Sequence, residues 1–139
     1  MKHLLKHAVT VVLASAILGL GGAAVAQKKQ APKAIWGAMV GGLNDIQSIT
    51  AALMVFDLKR AAKIAEDLQQ RETFISNIES LPEPVKKGHG KVAEAAAKLV
   101  AAAESGEEQD VANAINSVVQ ACTACHYNVR DAERRKKLK

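Results

Sequence analysis

From residue 34 onward the chain repeats at helical spacing. Trp36, Met39, Leu43, Ile46, Thr50 and Leu53 are spaced 3, 4, 3, 4, 3, the a/d rhythm of a helix packed along one seam of a bundle. Gly37, Gly41 and Gly42 each lower helix propensity by about 1 kcal/mol relative to Ala, or else admit a close neighbour or a large ligand. Asp57, preceded by Phe56, reads as the N-cap of a second helix. Its stripe runs through Leu58, Ala61 or Ala62, Ala65, Leu68 and Ile75. One unbroken helix from Ala34 to Asn77 is the competing reading, but the remaining chain is too short to partner it. Leu81-Pro82-Glu83-Pro84 stops the pattern. A third helix is expected from about Val85 to Glu104, with Val92, Ala96, Leu99 and Ala103 on one face. Gly88 and Gly90 weaken its first turns, so a start near Lys91 is the alternative. Ser105-Gly106-Glu107-Glu108 reads as a turn and a capping box, Ser105 standing three residues before Glu108. The cleanest stripe follows: Val111, Ile115, Val118, Cys122, Cys125 and Val129, spaced 4, 3, 4, 3, 4. Four helices joined by short turns predict an all-α, antiparallel up-down four-helix bundle.

The segment before these helices reads as an address. Lys2, His3, Lys6 and His7 form a basic start, Ala8 to Leu20 is apolar, and Ala24-Val25-Ala26 has the small-x-small pattern of a cleavage site. These three parts make a secretory signal peptide over residues 1–26, cleaved after Ala26, with the bundle domain over 27–139 and a periplasmic location. An uncleaved anchor is the alternative, because Ala8 to Ala26 carries no charge. Gly19, Gly21, Gly22, Ala23 and Ala24 dilute its second half and favour cleavage. Residues Gln27 to Lys33 are polar, with Pro32, and read as a frayed start.

Composition narrows the fold further. The chain is 49% hydrophobic but only 3% aromatic, and alanine supplies much of the apolar count. That suits helices packed closely on one another better than strands. The formal charge of +5 is modest and scattered, and no aromatic–basic interleaving or nucleic-acid motif accompanies it, so nucleic acid is not an expected partner. Arg130, Arg134, Arg135, Lys136, Lys137 and Lys139 crowd the end of the last helix, where cations suit the helix dipole. An acidic redox protein is the partner such a patch would favour.

The two cysteines of the chain both fall in Cys122-Thr123-Ala124-Cys125-His126. Cys-x-x-Cys-His is the attachment signature of a c-type haem. The thiols lie one helical turn apart and so emerge on one face. Each can add to one haem vinyl group, and the adjacent imidazole reaches the iron. A zinc half-site would need further ligands, and after cleavage His89 is the only histidine beyond the motif. A redox dithiol of the thioredoxin kind wants a βαβ context that is absent. Haem attachment takes place outside the bacterial cytoplasmic membrane, which agrees with the signal segment. His89, between two glycines, reads as an exposed loop residue, Met54 as core, and Trp36 as core or haem-edge packing.

With its haem signature in the last helix, the chain resembles the cytochrome c′ family, the class II c-type cytochromes, including the low-spin Met/His members. Cys125-His126-Tyr127-Asn128-Val129-Arg130 is similar to that family's Cys-His-x-x-(aromatic or apolar)-Arg ending. Ala101-Ala102-Ala103-Glu104-Ser105-Gly106 resembles the end of its third helix, and Phe56-Asp57 the entry to its second. The resemblance implies one covalent haem c on Cys122 and Cys125, with His126 as the proximal iron ligand. It implies Arg130 near the proximal imidazole and Met39 at the distal position. Where the family often has an arginine one turn before the distal residue, this chain has Ile35. The implied role is electron transfer by a protein that is not an enzyme. A five-coordinate haem that binds NO or CO is the alternative, and homodimerisation through the first two helices is a further implication.

Overall fold

Each break in the hydrophobic pattern becomes a turn. The structure, a computed structural model, describes residues 35–138; the expected signal segment and frayed start lie outside the described residues. Among the described residues there are four helices and no strand. They are α1 over 35–54, α2 (Leu58–Ser76), α3 (Glu83–Ser105) and α4 (Glu108–Lys137). The turns at 55–57, 77–82 and 106–107 are short. Each helix therefore folds back on the one before it, and the result is a four-helix bundle. No described helix is long and apolar enough to cross a membrane.

The turns have identifiable chemistry. Asp57 caps α2: its side chain accepts a hydrogen bond from the backbone N–H of Arg60 at 3.0 Å, satisfying one otherwise orphaned donor of the first turn. The single long helix is thereby excluded. Phe56, immediately before the cap, has φ of 60°, a left-handed conformation that costs an L-residue about 1–2 kcal/mol. Three backbone bonds fasten that turn: the N–H groups of Val55 and Asp57 donate to Ala52, and that of Phe56 to Leu53. Pro84 lies in the first turn of α3, where its missing N–H costs no helical bond. The helix begins at Glu83, ahead of both glycines, and not near Lys91.

The α3–α4 turn differs from the expected capping box. Ser105 is the last residue of α3, and its hydroxyl donates back to the Ala102 carbonyl at 2.7 Å. Gly106 ends α3 with φ of 84°, a conformation glycine adopts without steric cost. Glu107 then takes the cap position of α4 without a side-chain cap bond. The serine is drawn to the end of α3 because the turn needs the left-handed residue directly after it.

The core follows three of the four stripes. Val92, Ala96, Leu99 and Ala103 of α3 and Val111 and Val118 of α4 are buried against Ala61, Ala65 and Leu68 of α2. Ile49, Leu68, Leu99, Val111 and Val118 are the largest fully buried side chains, each worth about 1.5–3 kcal/mol for its removal from water. Between them alanines set the spacing, so the helices sit close.

In α1 the expected seam is rotated. Trp36 is 66% exposed, and Met39, Leu43, Thr50 and Met54 are also exposed. The inward face carries Ala38, Ile49, Ala52 and Leu53, with Gly41, Gly42, Asp45 and Ile46 half-buried. The two glycines explain the rotation. A Cβ at Gly41 would lie 3.4 Å from the Arg71 guanidinium, and one at Gly42 3.7 Å from Leu68. The glycine edge thus faces α2, and Asp45 on that edge pairs with Arg71. Close backbone approach takes the inner face and turns the larger side chains outward.

Candidate functional site

α4 presents the motif by continuing its buried stripe into a shallower region. Val111 and Val118 are fully buried. One and two turns further on, Cys122 and Cys125 are half-buried, as is Val129. Thr123 and Ala124 between the thiols face solvent, and the Thr123 hydroxyl donates to the Val119 carbonyl at 2.8 Å. His126 is exposed. Arg130 is exposed one turn later, its guanidinium 5.9 Å above the Tyr127 ring, within reach of a cation–π attraction.

Behind the thiols lies a polar pair buried between α2 and α3. Glu72 and His89 are 4% and 7% exposed, and His89 Nδ1 lies 2.5 Å from a Glu72 carboxylate oxygen. A buried carboxylate is tolerated only with such a partner. His89 is therefore an internal residue of α3, not the exposed loop residue its flanking glycines suggested. Gly88, next to it, is buried against α4: a Cβ there would overlap Cys125 Sγ and lie 3.0 Å from Cys125 Cβ. The flanking glycines mark helix contacts here, Gly88 with Cys125 of α4 and Gly90 with Ser76 of α2.

This setting fixes the state of the thiols. Burial pushes the Cys122 thiol above its ordinary value, and the nearby Glu72 carboxylate and Cys125 add to the rise. Burial and Glu72 do the same to Cys125. Both are therefore held protonated at neutral pH, which is unlike the electropositive setting that makes a reactive thiolate.

The structure thus gathers Cys122 and Cys125 with Gly88, His89 and Glu72. Met39 stands on α1 outside this group, 40% exposed. Glu72 escaped the sequence reading although a signal existed: Leu68, Glu72 and Ile75 continue the α2 stripe at 4, 3 spacing, which puts a carboxylate on the core face. Among the described residues no three His, Cys, Asp or Glu side chains converge on a common metal position. Compared with protein-family profiles, curated proteins and solved structures, the chain shows no match.

Proposed function

We infer that the chain is an exported c-type cytochrome that carries one haem on Cys122 and Cys125, with His126 as its proximal iron ligand, and transfers electrons. The observation that carries this reading is the pair of half-buried thiols on one edge of α4, one helical turn apart and followed directly by an exposed imidazole. That donor set fits the group: on one helix Cys122 and Cys125 would hold it covalently and His126 would offer its iron a nitrogen. The absence of a side chain at Gly88 supports the fit, because it leaves the Cys125 sulfur room at the α3 surface.

When bound, haem supplies an Fe(III)/Fe(II) couple. The remaining work belongs to the chain. Cys122 and Cys125 would hold the group covalently, each S–H adding across one vinyl C=C bond, an addition that needs no oxidant. His126 offers a nitrogen on the same helix edge. Cys122 packs against the hydrophobic core that includes Val118, and such an apolar neighbourhood would influence the reduction potential of a bound haem. The exposed guanidinium groups of Arg130 and Arg134 after the motif favour encounter with an acidic redox partner.

A second reading has its own support. Met39 is 40% exposed and is not among the buried core residues, so it would not hold the iron, and a haem held by Cys122, Cys125 and His126 would then be open to NO or CO. Optical and EPR spectra of the purified holoprotein separate the two. A low-spin ferric iron that turns high-spin in Met39→Ala supports the electron carrier with a Met39 ligand. A high-spin wild type that binds NO, unchanged by the substitution, supports the gas-binding reading and removes Met39 as a ligand.

A further inference from the structure

We propose that Gly88 is a positioning residue: together with the buried Glu72–His89 bridge it forms a socket on α3 that seats the Cys125 sulfur and sets the depth at which that thiol meets its vinyl group. This deepens the haem-attachment reading and rests on it for the role of the thiol, though not for the socket itself.

Gly88 is the described glycine whose missing side chain is most nearly occupied by another residue. A Cβ there would overlap Cys125 Sγ and approach Cys125 Cβ to 3.0 Å, whereas Gly37 and Gly106 have open space and Gly41, Gly42 and Gly90 meet a Cβ at ordinary or near-ordinary distance. Glycine inside a helix weakens it, and this one lies in the second turn of α3. The next residue supplies the hold. His89 is bonded across the interface to Glu72 at 2.5 Å, with both side chains buried. That bond ties the turn containing Gly88 to α2, so the recess keeps its depth while α4 packs over it. Among the described glycines none stands against Cys122, which packs instead against the hydrophobic core, so the two thiols have different neighbours.

A thioether forms only if sulfur, vinyl carbon and ring plane line up, and a displacement of the order of 1 Å is costly for a reaction that depends on orientation. Filling the socket pushes the sulfur outward or turns it about its Cα–Cβ bond. Cys125 then loses its alignment while Cys122 keeps its own.

The test uses the full mature chain in two forms. Matured with haem, the wild type should show a two-thioether pyridine haemochrome. Gly88→Ala should shift that spectrum to the one-thioether position and leave Cys125 open to maleimide, as read by peptide mass. In the reduced chain without haem, Gly88→Ala should raise the alkylation rate of Cys125 at least about threefold over that of Cys122, because the sulfur is expelled toward solvent. Should Gly88→Ala fold poorly, Cys125→Gly supplies the control. In that background the socket is empty and alanine, the better helix former, should raise the melting temperature, whereas in the wild type it should lower it. Two intact thioethers in Gly88→Ala, with unchanged Cys125 alkylation, would overturn the socket. A wild type that takes up no haem would overturn the attachment reading and leave the socket to be decided by the alkylation rates.

Discussion

Glu72 is where the chemistry of the site and the stability of the fold meet in one side chain. It is buried, holds His89, and raises both motif thiols. Glu72→Ala leaves an imidazole buried without its partner and should cost about 1–3 kcal/mol, read as a lower urea midpoint. Replacing both partners by leucine should recover much of that loss, since a buried polar pair is often no better than a well-packed apolar one. The thiols carry a pH dependence of known sign. Their folded values lie above the ordinary 9.0, so the unfolded chain releases these protons first. The stability this contributes is full below the ordinary thiol range and is lost as pH rises through the raised folded values. The haem-free chain should therefore lose stability under alkaline conditions, and Cys122→Ser with Cys125→Ser should flatten that part of the curve, as followed by thermal melts against pH.

At the scale of the helices, the turns make the sharpest predictions. Asp57→Ala removes the α2 cap and should cost about 1 kcal/mol. Gly106→Ala forces a left-handed conformation on a residue with a Cβ and should cost about 1–2 kcal/mol. Phe56→Gly should have the opposite sign, because Phe56 is 69% exposed and left-handed. Relief of the conformational cost outweighs the small contact loss, and the melting temperature should rise. Helices α2, α3 and α4 were legible in the sequence because their interfaces are apolar and their stripes long. The α4 motif was legible for the same reason. The inward face of α1 was not, because its contact with α2 is made by Gly41, Gly42 and Asp45 instead of by large apolar residues, and a hydrophobic stripe cannot report an interface made by small ones. His89 was misread by the same cause. Its glycine neighbours signal a loop in one dimension, and only the packing of α4 on Gly88 and of α2 beside Gly90 makes them part of helix interfaces. Glu72 stood on the α2 stripe in plain view, but a carboxylate has meaning there only once its partner from α3 is known.

For the whole molecule, an alanine-spaced bundle gives close helices, and close helices leave the site shallow at the α3–α4 surface. The Cys-x-x-Cys-His motif thereby sits where the buried stripe of α4 gives way to half-buried positions, with two half-buried thiols and an exposed imidazole. Covalent attachment suits such a site, since two thioether bonds hold a group that burial alone would hold less securely. Electron transfer by this chain requires that attachment. The most direct measurement is the intact mass, after denaturation, of the protein exported from a bacterial host equipped to mature c-type cytochromes. The predicted result is one haem retained per chain in the wild type and none in Cys122→Ala with Cys125→Ala. A wild-type chain that denatures to its bare polypeptide mass, with both thiols free, would contradict it.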